Sequence, residues 1–479
     1  MRSDLHYQNW FTKLISFLID IFFVLAAISS LFVFTSFITG VLKYCVFVLI
    51  LLFYFLIIHF CKDRIKAILG KILGFVEQID QKRMVLIIIA FAFVMKIVYT
   101  ILFSFDATVG GDISIYNEIA DQIVATGELK SSAISHLFGM AAHMALIKLL
   151  GIPLHVGMFI AVVIATVVNF LSFSSIIGKD KSFICTMIFL LMPSTCFLSF
   201  CITHEIFVYL YFSLFLFLMN LFLRTEETRR KIVLSVLITI DIILACVVNP
   251  AGYVIYVIIF LIVLLSNVDR NRKMILILIL FLSVFGSKTI DRIIDTNEYV
   301  TTLNTYSILI HGSNIGSMGE QQDGFPHMMM RNYLTEHSME FTHDNFKIAA
   351  REVLFNQYRY LLTHPTDLFR LIVHKIYIQW SGVHYPIELA NVYEAVNGLL
   401  YYSMLGINTL IYLFVLTVQI VYGQKRKEDR ICVSNYKLTV LGVLAITMLS
   451  VVLNKYLLYI TLFIYFIAFE EADLEVENG

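Results

Sequence analysis

Met84-Val85-Leu86-Ile87-Ile88-Ile89-Ala90-Phe91-Ala92-Phe93-Val94-Met95-Lys96-Ile97-Val98-Tyr99-Thr100-Ile101-Leu102-Phe103-Ser104-Phe105 carries a single charge, Lys96, and stands directly behind Lys82-Arg83. About 20 such residues, wound as a helix, cross the ~30 Å hydrocarbon core of a bilayer. The run delivers the chain to Gly110-Gly111-Asp112-Ile113-Ser114-Ile115-Tyr116-Asn117-Glu118-Ile119-Ala120, the start of a polar segment that continues to Gly127. Asp112, Tyr116, Ala120, Ile123 and Gly127 recur at steps of three and four and share one face of a short helix. Glu118, Asp121 and Gln122 fall mostly on the other side. Two glycines before Asp112 let the backbone turn sharply and let a ligand come close. The carboxylate itself fits two roles, a helix N-cap or a reactive group.

The rest of the chain repeats the first pattern. Of 479 residues, 59% are hydrophobic and 15% charged, and mean hydropathy is +0.83. Those values lie outside the soluble globular range. Apolar spans fall near 13–36, 42–60, 84–105, 154–176, 183–200, 206–223, 232–248, 251–266, 274–288, 397–422, 437–452 and 454–470. The fold class is therefore an all-α polytopic membrane protein with about 12 transmembrane helices. A thirteenth run, 133–150, carries His136, His143 and Lys148 and is shorter and more polar. The first run lacks a small-residue cleavage site and reads as an anchor. The formal net charge of zero supplies no basic field for nucleic acid. The seven cysteines have neither metal-ligand spacing nor a disulfide framework.

Lys and Arg in short loops set orientation. Lys179 and Lys181, Arg224 with Arg229-Arg230-Lys231, Arg270 with Arg272-Lys273, and Lys425-Arg426-Lys427 with Arg430 agree on a cytoplasmic side only if 133–150 does not cross fully. It then forms a juxtamembrane or re-entrant helix, both termini are cytoplasmic, and residues 106–132 and 289–390 face outward. The division that follows is an N-terminal two-span extension with a basic cytoplasmic segment (1–83), a transmembrane core (84–288) with a first outer loop (106–132), a large extracytoplasmic loop (289–390), and C-terminal spans with an acidic tail (391–479). The 289–390 loop holds seven of the thirteen histidines. It contains a helical pattern with Phe346, Ala350, Leu354, Tyr358 and Leu361 on one face. His364-Pro365 breaks that pattern, and Thr366 or Asp367 can cap the next helix. A long outer insertion of this kind is more often functional than idle.

Four pieces combine. Asp112-x3-Tyr116-x3-Ala120-x6-Gly127 is the first. Met192-Pro193-Ser194, Ser199 and His204-Glu205 form the second, Tyr306 to Asn314 with Gly316 the third, and His364-Pro365-x-Asp367-Leu368-Phe369-x-Leu371-x3-Lys375-x4-Trp380 the fourth. In this order they resemble the protein-O-mannosyltransferase-like branch of the integral-membrane (GT-C type) glycosyltransferases, over roughly residues 84–470. His204 stands where that family usually has Lys, Asn249-Pro250 where many members have Arg-Pro, and His311 interrupts an Ile-Gly pair. The resemblance implies a GT-C-like fold with outer juxtamembrane helices. It also implies an inverting enzyme that moves a sugar from a polyprenyl-phosphate carrier to an acceptor hydroxyl outside the cell membrane, in cell-envelope glycan or polysaccharide assembly. The acceptor is a glycan, a protein or a lipid.

On that reading Asp112 is the catalytic base, and Tyr116, His204, Glu205, Arg370 and Lys375 bind substrate. The leaving lipid phosphate needs cations or donors to hold its charge rather than an acid. Arg370, His374 and Tyr377 line one stripe of the 366–380 helix, with Lys375 alongside. Arg370 and Lys375 equally fit snorkelling from an interfacial helix. His204 and Glu205 occupy a very short outer turn between apolar spans, where charge is costly and usually functional. Glu205 orients His204 or is an interface charge. No cofactor follows from the residues, and a divalent cation is left open; the loop histidines show no His-x3-His pair with a carboxylate, so hydrogen-bonding roles suit them better. Two other functions compete. A repeat-unit polysaccharide polymerase also has many spans and a large outer loop, but uses arginines in several outer loops. A lipid-linked glycan transporter calls for polar residues in mid-span or an internal repeat; Lys96, Asp241 and Asn249 are in apolar stretches, with no repeat.

Overall fold

The computed structural model describes residues 17–18, 20–21, 24–35, 38–103, 112–127, 138–193, 195, 204–249, 252–265, 269–294, 298–318, 325–381 and 398–422. Asp106, Ser194, Ser199, Pro250, Gly319, Asp323, the spans at 437–452 and 454–470 and the acidic tail lie outside the described residues, as do the side chains of Asp112 and Trp380.

Among the described residues the regular elements are helices. They are α1 (Val24–Phe34), α2 (Val41–Glu77), α3 (Gln81–Phe103), α4 (Asp112–Thr126), α5 (Phe138–Leu149), α6 (Leu154–Ile177), α7 (Lys179–Leu191) and α8 (Glu205–Arg224). They continue with α9 (Thr228–Val248), α10 (Tyr253–Leu265), α11 (Arg270–Ile294), α12 (Glu298–Ser313), α13 (Phe325–Glu336), α14 (His343–Thr363), α15 (Pro365–Ser381) and α16 (Gly398–Tyr422). Seven of them, α2, α3, α6, α8, α9, α11 and α16, are long and apolar enough to cross a membrane. The chain is a membrane protein. At ~1.5 Å per residue the 12 residues of α5 extend only ~18 Å, short of a hydrocarbon core.

The bundle is built around α8, which packs against α6 on one side and α9 on the other. Tyr209, Phe212, Phe215 and Phe222 of α8 are buried. Small residues of α6, Ala161 and Ala165, let the helices approach closely. Lipid tails are as apolar as these side chains, so polar contacts add directional hold. Asn169 donates to Ser213 Oγ at 2.7 Å and to the Tyr209 hydroxyl at 3.1 Å. The Tyr54 hydroxyl of α2 donates to the Leu413 carbonyl of α16 at 2.9 Å.

One end of the bundle is tied by basic side chains. Arg272 donates to the Leu223 carbonyl at 2.8 Å, to the Thr225 carbonyl at 3.1 Å and to Glu226 at 2.5 Å. It thereby satisfies carbonyls that the last turn of α8 leaves open. The hydrogen bond from Arg272, aided by Lys231, holds the Glu226 carboxyl below the usual carboxylate range. Lys179 donates to the Ile79 carbonyl at 2.9 Å, and Arg224 donates to that of Ser175.

Helices α12, α13 and α14 share a small core of their own, with Ile310, Met330, Leu334, Phe346, Ala350 and Val353 buried. Thr342 caps α14 by accepting from the Asn345 amide at 3.4 Å. Asp367, read from the sequence as a possible cap, lies in the first turn of α15, where its carboxylate accepts the Tyr360 hydroxyl at 2.9 Å. His337 and His364 stack on Tyr333 and Tyr360, and each reaches the carbonyl of its own stacking partner.

Candidate functional site

Asp112 opens α4, and the helix buries the face that its spacing marks. Tyr116, Ile119 and Ala120 are buried, while Glu118, Asp121 and Gln122 are exposed. Against Tyr116 stands the start of α8. The Tyr116 and His204 rings meet edge to face, 6.4 Å between centroids. His204 precedes α8 and accepts the Phe207 and Val208 amides on its carbonyl at 3.1 and 3.2 Å. That turn places the imidazole Nε2 2.9 Å from Glu205 Oε1. Glu205 is 1% exposed and the His204 side chain 18%. A carboxylate this deeply buried needs polar company, and the helix N-terminus adds a favourable dipole. Met192 and Pro193 of the second motif are also buried.

Three of the six residues marked in the sequence, Tyr116, His204 and Glu205, form one cluster. Asp112 lies one helical turn before Tyr116 on the same helix. Helix α15 divides the other two. Arg370 is on an exposed face, 3.9 Å from Asp367. Lys375 is fully buried, one turn beyond the buried Leu371. Burial pulls the Lys375 ammonium down to about 7. Its neighbour Ile376 packs on the same apolar core as Tyr116 and Ile206, and Tyr377 meets Phe32 of α1 at 6.3 Å. The stripe drawn from the sequence through Arg370, His374 and Tyr377 is therefore the more accessible side, and Lys375 points into the protein.

Sequence reasoning noted α5 but not its work. Lys148 reaches back to α4, donating to Asn117 Oδ1 at 2.7 Å and to Asp121 Oδ1 at 2.5 Å. His143 bonds the Gly139 carbonyl through Nδ1 at 2.6 Å and the Tyr211 hydroxyl through Nε2. In the neutral ring, Nδ1 then donates and Nε2 accepts. Asp241 of α9 is buried as well, at 5% exposed. Gly139 faces the backbone of α9 so closely that a Cβ there would sit 2.2 Å from the Val247 carbonyl oxygen. Helix α5 is thus a strut between α4 and the α8–α9 pair. Polar residues at 143 and 148 of a short apolar run were its only signal.

An apolar cavity of 660 Å³ opens between α3, α7 and α16, lined by Tyr99, Leu102, Leu191, Met404, Ile407 and Phe414 among others. Among the described residues no group of three His, Cys, Asp or Glu side chains is disposed to hold a metal ion.

No family model matches the chain, and no curated protein sequence matches it. Two solved structures are similar in part. ArnT from Cupriavidus metallidurans bound to undecaprenyl phosphate aligns over 82% of this chain and 78% of its own, with 10% identity and a TM-score of 0.37. The apo state of the same protein aligns over 81% and 77%, with 12% identity and a TM-score of 0.34.

Proposed function

We propose that the chain is a multi-pass membrane glycosyltransferase whose site lies at the end of the bundle away from the Arg272 knot, facing out of the cell. It moves a sugar from a polyprenyl-phosphate carrier to a hydroxyl of a glycan, protein or lipid acceptor, in assembly or modification of the cell envelope. The observation that carries this reading is the cluster of Tyr116, His204 and Glu205. A buried carboxylate with an imidazole and a phenol, at the mouth of an apolar bundle, is costly and rarely idle.

In the reaction the acceptor oxygen bonds to the anomeric carbon while the bond from that carbon to the phosphate oxygen breaks. The acceptor proton passes to the Asp112 carboxylate. The lipid phosphate leaves with the bonding pair and is held by His204 and Lys375, so that charge developing on it meets donors already in place. Glu205 fixes the His204 ring. Arg370, on the exposed face of α15, meets the carrier or acceptor before the sugar is seated. Tyr116 sets the wall between base and phosphate. The prenyl chain takes the apolar cavity, whose lining from α3, α7 and α16 offers it little but hydrocarbon contact.

The test is incubation of the purified protein with a panel of polyprenyl-phosphate sugars, following free carrier phosphate. Release with inversion at the anomeric carbon supports the reading, and no release with any donor and acceptor pair overturns it. A second reading, transport of a lipid-linked glycan, is favoured by one observation, the polar side chains His143 and Tyr211, bonded to each other, and Asp241 inside the apolar bundle. Movement of an intact lipid-linked glycan across a vesicle membrane without cleavage would select it.

A further inference from the structure

Helix α2 is 37 residues long, or about 55 Å, far more than a bilayer needs. Its course shows where the excess goes. Tyr54 bonds the Leu413 carbonyl of α16, nine residues (~14 Å) before that helix ends at Tyr422. Val76 shares a core cluster with Met84 and Phe183. Those two residues lie within a turn or so of where α3 and α7 begin, and Lys179 at that point bonds the Ile79 carbonyl. From Tyr54 to Val76 the helix covers ~33 Å and carries the chain to the basic end of the bundle.

The side chains of the second half of α2 sort into three faces. Leu69, Leu73 and Val76 are buried against the bundle. Ile68, Ile72 and Phe75 recur at steps of four and three and are 58%, 45% and 69% exposed. Exposed Arg64 and Lys71 border that apolar stripe, whereas Asp63 and Glu77 fall on the opposite side of the helix, together with Lys62 and Lys66. An exposed apolar stripe edged by cations, with carboxylates turned away, matches a surface that is hydrocarbon below and anionic above. We propose that residues 61–77 form an interfacial helix that docks on the anionic headgroups of the inner leaflet. The side of the membrane rests on the orientation given under Proposed function; the docking does not depend on the chemistry proposed there. The helix clamps the two-span N-terminal portion to the bundle from below, at the basic ends of α3 and α7.

The full-length chain with a single cysteine at position 72, carrying an environment-sensitive fluorophore, is reconstituted in vesicles of phosphatidylcholine and phosphatidylglycerol. Bromine placed high on the acyl chains is expected to quench position 72 and to spare a probe at position 63. Quenching of position 72 by aqueous iodide alone overturns the proposal. So does shielding from both quenchers, which would mean that a second copy of the chain covers the stripe. The second measurement needs no cysteine changes: mass spectrometry of lipid retained by the wild-type chain and by an Arg64→Gln/Lys71→Gln variant from mixed nanodiscs. Each basic side chain near an anionic surface is worth about fivefold in preference. Enrichment of phosphatidylglycerol should fall about tenfold or more in the variant, and unchanged enrichment overturns the proposal. Neither arm reads sugar transfer, so failure here leaves the enzymatic reading standing, and the converse holds.

Discussion

Tyr116 and His204 lie 88 positions apart in sequence, on helices α4 and at the head of α8, and their rings meet edge to face at 6.4 Å. That contact joins the helix opened by Asp112 to the buried Glu205. A change on either helix is therefore felt at the same spot.

Asp112→Asn tests the base. Asn caps helices about as well as Asp, so a purely structural role predicts a loss of only a few tenths of a kcal/mol. Loss of a general base lowers turnover by about 10²–10⁴. Transfer is expected to collapse while the melting temperature stays near that of the wild type. Near-normal turnover in a folded protein would return Asp112 to a capping role.

His204→Ala removes the imidazole from the buried Glu205 carboxylate. Taking a polar neighbour away from a buried carboxyl costs about 1–3 kcal/mol, and a loss of that order is expected in thermal unfolding. His204→Gln, which can still donate to Glu205, should recover stability without recovering donor use. Equal stability in both variants would mean that the 2.9 Å contact does not hold the turn.

Lys375→Met separates function from stability. Burial lowers the Lys375 pKa from its ordinary range near 10.5 to about 7. A folded value below the unfolded one means that the unfolded chain binds more protons between those two values. The contribution of Lys375 to stability therefore rises with pH from about 7 to 10.5, and below 7 its full penalty remains. At neutral pH the Met variant is expected to melt at or above the wild-type temperature, with donor affinity reduced at least about tenfold, as for lost charge-assisted hydrogen bonds. Wild-type donor affinity should weaken as pH rises above about 7. A destabilised variant with intact donor use would refute the role.

Glu118 and Asn332 are exposed, and Glu226 is exposed at the basic end. Single cysteines at 118 and 332 are expected to react with an impermeant thiol reagent on intact cells, and one at 226 only after the cells are opened. Labelling of 226 on intact cells would invert the orientation.

What the sequence made legible was local. The buried face of α4 follows from helical spacing alone, because Glu118, Asp121 and Gln122 gather on the opposite side. The long spans follow from composition. What stayed hidden depends on contacts between distant residues. Nothing in 41–77 states that α2 stays helical to Glu77, since Leu69, Leu73 and Val76 find their partners on other helices. The charges of α15 are alike in sequence, and only packing separates exposed Arg370 from buried Lys375. The work of α5 was equally invisible, because Lys148 and His143 find partners 27 and 68 positions away.

The knot at Arg272 bears on how the chain is made. Its guanidinium seals carbonyls at 223 and 225, which leave the ribosome almost 50 residues earlier. During synthesis the α8–α9 hairpin must enter the bilayer with that end unlatched, and the arrival of α11 is what shuts it. Nascent chains arrested before residue 270 should be cut by protease near 224–228, and chains arrested beyond α11 should resist. Arg272→Gln should leave the full chain inserted but slow to mature, a defect of timing rather than of chemistry.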